Sequence, residues 1–101
     1  GRTWLIDHGA ALYPQHSDAG LAASARDAFP LIAQHVLLPG AGSIADADAR
    51  LASAAADVVS AAIQAVPDDW LGTTRDEMAR FFSERLTEPR PWIEEAERGR
   101  A

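Results

Sequence analysis

The chain has 101 residues, enough for one small domain, with a net charge of −6 and 48% apolar residues, many of them alanine. Clustered cations are needed to hold a phosphate backbone, so this acidic balance argues against nucleic acid as a direct partner. The absence of cysteine removes disulfides, thiolate nucleophiles and zinc–sulfur sites, and no apolar run is long enough to span a bilayer.

All nine cations are arginine, and lysine and asparagine are both absent. With the heavy alanine content this bias fits a GC-rich genome. Alanine buries little area, so the core is expected from few large side chains. These are Trp4, Leu5, Ile6, Leu12, Tyr13, Phe29, Leu31, Ile32, Val36, Leu37, Val59, Ile63, Trp70, Met78, Phe81, Phe82, Leu86, Trp92 and Ile93.

Thr3-Trp4-Leu5-Ile6 reads as a short strand, apolar throughout and so buried on both faces. A lone strand leaves its backbone groups unpaired, and Gly1-Arg2 is an unusual start. Both suggest a piece of a longer polypeptide. Gly9 can take a positive φ and end the strand, and residues 14–20 read as a polar loop.

Residues 19–28 favour helix with weak amphipathicity. Pro30 suits a first helical turn, followed by Ile32, Val36 and Leu37 on one side. Residues 39–42 break the chain, and Ser43-x-x-Asp46 then forms a capping pattern. An alanine-rich helical region within 44–66 follows, with Leu51, Ala55, Val58, Val59, Ala62, Ile63 and Val66 at helical spacing. Whether it is one helix or two broken near Ser53 stays open.

Pro67 stops it, and Trp70 anchors a short turn or helix closed by Gly72. Thr74-x-x-Glu77 is a capping box for a helix carrying Met78, Phe81, Phe82, Arg85 and Leu86 on one face. Pro91 opens a last helix through Trp92, Ile93 and Ala96, its acids on a solvated face, with a frayed tail from Arg98.

The candidate chemistry lies at the front. Asp7 ends the strand and Gly9 follows one residue later. A strand can hold a carboxylate there for magnesium, which takes few carboxylates plus nucleotide phosphates. The same spacing also occurs in plain turns, where Asp bonds the backbone two residues on. His8, His16 and Asp7 allow a weaker metallohydrolase-like reading, although no histidine pair has helical ligand spacing. His35 reads as a helix-edge residue. Pro39-Gly40-Ala41-Gly42-Ser43 lacks the lysine of a phosphate loop, and no serine sits in a nucleophile elbow.

"WLIDHGAALY", "FPLIAQHVLLP", "ADARL", "VPDDWL" and "EPRPWIEEAERGR" together resemble the C-terminal part of bacterial HipA-like kinases, in particular a compact group frequent in actinobacteria. The resemblance implies a mainly α chain: residues 1–101 as one helical C-lobe subdomain of a protein-kinase-like fold. Residues 3–9 would supply the short strand and the Asp-His-Gly, and residues 10–101 the helical part. It implies Asp7 as the magnesium ligand at the ATP phosphates, the counterpart of the acid in Asp-Phe-Gly. Gly9 would be the permissive hinge of the same nucleotide site, and His8 stands where the kinase triplet has Phe.

Pro14-Gln15-His16 departs from the aromatic and histidines expected after "AALY". The nucleotide lysine and the catalytic-loop Asp and Asn would lie before Gly1, so the 101 residues alone are expected to be inactive. Implied partners are the rest of the same kinase and a protein substrate carrying a Ser/Thr hydroxyl, in the cytoplasm. The alternative is a non-enzymatic, acidic helical interaction module.

Overall fold

The computed structural model describes residues 1–4 and 20–101. The described residues are mainly helical and include no strand. Of the expected strand, Thr3 and Trp4 carry no regular secondary structure and Trp4 is exposed, while Leu5 and Ile6 lie outside the described residues.

Four α-helices follow three short 3-10 turns: α1 (Ile44–Ala65), α2 (Asp68–Leu71), α3 (Thr74–Arg85) and α4 (Ile93–Arg100). The turns are Ala22–Ser24, Pro30–Gln34 and Leu38–Gly40. Of residues 19–28, those described, 20–28, therefore hold one tight turn rather than a helix. Gly20 at φ 75° and Phe29 at φ 51° bracket this stretch with left-handed backbone, which a continuous helix excludes. Pro30 starts its turn as expected, but His35 is already extended. Val36 and Leu37 consequently point to solvent instead of the core.

The core is small. Leu21, Ala25 and Phe81 form its buried centre, with Met78 and Phe82 packed against them. The Phe81 and Phe82 rings meet edge-on at 5.1 Å. Leu38, Ile63 and Ala96 are buried as separate contacts. Several residues expected inside are exposed: Trp4, Phe29, Leu31, Val36, Leu37 and Trp70, the last at 80%. Leu21 and Leu38 take the interior places, because the turns aim them inward where a helix would have aimed their neighbours.

α1 is a single helix with no break at Ser53. Its half-buried or buried positions are Ile44, Ala47 and Asp48 in the first turns and then Ala52, Ala55, Val59 and Ile63, whereas Leu51 and Val58 lie outside this stripe. α1 packs against α3 and α4, and α4 lies along the Pro30–Gln34 turn. Gly99 makes that approach possible, since a Cβ there would stand 2.7 Å from Ala33 Cα.

Two end signals differ from the sequence reading. The N-cap of α3 is Thr73, without a side-chain cap, and Thr74 is its first residue. Thr74 Oγ1 donates to Leu71 O, and Glu77 accepts from Leu21 N at 3.1 Å, so both halves of the expected capping box serve the preceding segments. The tail is helical to Arg100, held by i,i+3 ion pairs Glu95–Arg98 and Glu97–Arg100.

Candidate functional site

Asp7 and Gly9, the residues expected at a nucleotide and magnesium site, lie outside the described residues, as do His8 and His16. His35 is exposed and closes the Pro30–Gln34 turn, its Nδ1 accepting from Leu37 N at 3.3 Å. Among the described residues, no group of three His, Cys, Asp or Glu side chains converges as a metal site would require. No helix there is long and apolar enough to cross a membrane.

The charged chemistry of the described body is directed inward, onto backbone. An α-helix leaves its first four N–H groups without intrahelical partners. In α1 three of these, at Ile44, Ala45 and Asp46, are met by side chains. Glu97 Oε1 accepts from Ile44 N at 2.8 Å and Ala45 N at 3.1 Å. Ser43 Oγ accepts from Asp46 N at 3.1 Å, and Ser43 O accepts from Ala47 N. The Glu97 carboxyl is held below the usual carboxylate range, first by Arg100 and then by these two amides. Glu97 is thus a cap supplied across space, not part of a solvated face.

Arginines do the same for carbonyls. Arg75 donates to Ile63 O, to Val66 O at 2.6 Å and to Asp68 Oδ1 at 2.8 Å, closing the end of α1. Arg26 reaches Glu84 O at 2.7 Å, Thr87 O at 3.0 Å and Pro89 O, closing the end of α3. Arg85 returns the gesture from α3 to Ala25 O at 3.2 Å and Asp27 O at 2.9 Å. Its guanidinium lies 4.8 Å from the Trp92 ring centre and 5.9 Å from that of Phe81. Burial pulls its pKa below the usual arginine value.

Arg90 is the buried charge among the described residues, forked onto both oxygens of Asp48 and bonded to Leu86 O and Glu88. The Asp48 hydrogen bonds raise its pKa above the usual arginine value. No local pattern announces these roles, because Arg26 and Arg85 reach backbone carbonyls, and Arg90 the Asp48 carboxylate, some forty to sixty positions away.

Two hollows remain. A groove of about 320 Å³ runs between α1 and α3, lined by Val59, Ile63, Phe82 and Leu86 with Ser60 and Ser83 at its edge. A wider hollow of about 770 Å³ contains Arg26, Asp48, Glu88 and Arg90. Its arginines are already engaged with carbonyls and carboxylates. Neither holds a nucleophile next to a base, and no His or Cys lines either one.

Comparison with protein-family models, curated proteins and solved structures finds no match to this chain in any of the three.

Proposed function

We propose that the chain is the helical C-lobe portion of a HipA-like, ATP-dependent kinase that transfers phosphoryl to a protein hydroxyl. One observation carries the reading: Trp4-Leu5-Ile6-Asp7-His8-Gly9 stands ahead of family-like segments, and a mainly helical body follows. In this reading Asp7 holds magnesium at the ATP phosphates and Gly9 lets the backbone turn beneath it. The described helices give magnesium no ligand cluster of their own, so the ion's place rests on Asp7.

Phosphoryl transfer is mainly positioning and charge neutralisation. Lysine and asparagine are absent from the 101 residues, so a nucleotide lysine and a catalytic-loop asparagine would have to come from further polypeptide. The helices act as the body on which the nucleotide site is seated, their arginines locking helix ends rather than touching substrate.

The test has two parts. The purified 101-residue chain should not turn over ATP. In the longer kinase, Asp7→Asn should abolish phosphoryl transfer while circular dichroism and thermal unfolding stay unchanged. Full activity in that variant removes Asp7 from the mechanism and overturns the reading.

The second reading, a non-enzymatic helical interaction module, is favoured by the apolar side chains left on the outside of α1. Leu51 is 62% and Val58 66% exposed. No phosphoryl transfer by the longer wild-type protein, together with a stable complex through α1, would favour it.

A further inference from the structure

The outer face of α1 carries a second pattern, half-buried at Ala47 and exposed from Leu51 onward. Ala47, Leu51, Ala54, Val58, Ala61 and Ala65 recur at alternating spacings of four and three residues. That is the seven-residue repeat of a helix-pairing seam, whose average of 3.5 keeps one stripe facing a partner helix. The stripe lies beside the one packed in the chain's own core, Ala52, Ala55, Val59 and Ile63. Its large members, Leu51 and Val58, are mostly exposed. Arg50 and Asp57 flank it one heptad apart on the same edge, both exposed, and among the described residues neither forms an ion pair.

We propose that this face pairs with the same face of a second copy, antiparallel, about a two-fold axis near Ala52 and Ser53. A closed two-fold contact requires a self-complementary surface. In this register Leu51 faces Ala54 of the partner subunit, and Ala47 faces Val58 of the partner subunit, so each large side chain meets a small one. The flanking edges bring Arg50 against Asp57 of the partner subunit twice, once on each side of the axis. Charges at these flanking positions set orientation and register. Sliding by one heptad, to engage all six seam positions, would place Asp57 against Asp57 of the partner subunit. A parallel pair would not bring Arg50 to Asp57 at all. The charge pattern therefore selects one arrangement, and the inference rests on α1 alone, independent of the kinase reading.

Analytical ultracentrifugation of the 101-residue chain tests it, with circular dichroism to confirm folding of each variant. The wild type should dimerise reversibly, and Leu51→Arg, at a position exposed in the single chain, should leave folded monomer. Arg50→Asp replaces two attractions by two repulsions and should weaken dimerisation about tenfold or more. The double variant Arg50→Asp with Asp57→Arg should restore it. A wild type that stays monomeric up to ~0.5 mM overturns the proposal and assigns the face to some other polypeptide. So does a dimer unmoved by Leu51→Arg, or a double variant no better than Arg50→Asp.

Discussion

Gly99 and Glu97 show how single residues of α4 hold the molecule together. At a solvent-facing helix position, Gly→Ala adds about 0.5–1 kcal/mol of stability through backbone entropy. At Gly99 the sign should reverse, because the new Cβ would stand 2.7 Å from Ala33 Cα and closer still to Ala33 O. The obstacle is backbone, which cannot rotate aside as a flexible side chain can. Gly99→Ala should therefore lower the urea midpoint, with the loss appearing first as weaker amide-exchange protection where α4 meets the Pro30–Gln34 turn. Glu97 makes a pH-dependent contribution. Its native pKa lies below the ordinary value of 4.5, so the folded state binds fewer protons than the unfolded one around that pH. The stabilisation is complete above about pH 4.5 and is lost as pH falls through the lowered native value. Thermal unfolding of Glu97→Gln should show a lower Tm than wild type at pH 7 and a shallower decline in acid. An acid decline as steep as wild type would remove Glu97 as its source.

Among the elements, the ends of α1 show what a sequence does and does not announce. Ser43 caps as its spacing predicts, because that bond spans three residues. Its other two caps come from Glu97, more than fifty positions away, and no local pattern announces them. Residues 20–28 have helical composition, yet left-handed backbone at Gly20 and Phe29 limits them to a turn. That turn is then held by Arg85 from α3. Tertiary bonds overrode propensity there, and in the same way Glu77 left its expected capping box for Leu21 N. Asp7 and Gly9 are legible only through resemblance, since strand-Asp-x-Gly serves turns as well as metals. The C-terminus of α1 offers a direct test of the arginine bonds. Arg75 is mostly buried along its side chain and spans Ile63 O, Val66 O and Asp68 with one planar fork. Lysine keeps the charge but cannot present that fork. Arg75→Lys should cost about 1–2 kcal/mol of unfolding free energy, read by urea titration, whereas Arg80→Lys, on an exposed position, should cost nothing measurable.

At the scale of the whole described body, residues 20–101, a sparse apolar centre is combined with dense charge-to-backbone bonding. The core cluster has three buried residues, and one of them is alanine. Arg26, Arg75, Arg85 and Arg90 join segments that apolar packing alone holds weakly, each by donating to carbonyls left free where a helix or turn ends. A chain without lysine can do this repeatedly, because each guanidinium carries five donors in a fixed plane. The arrangement makes stability depend on one side chain out of proportion to its size. Phe81 is the largest buried apolar residue among those described. It touches the Leu21–Ala25 turn and Phe82, and it offers its ring to the Arg85 guanidinium that holds that turn. Truncating a buried Phe costs about 3–5 kcal/mol in an ordinary core. Domains of this size are stable by only about 5–15 kcal/mol in total. Phe81→Ala should therefore take the chain close to its unfolding threshold. The 20–28 segment should lose amide protection before α1 does, because α1 keeps its Ser43 and Glu97 caps and its Arg75 closure independently of Phe81. Hydrogen exchange read by segment checks the order. Simultaneous loss of protection in both segments would show that the small apolar centre, rather than the arginine bonds, couples the helices.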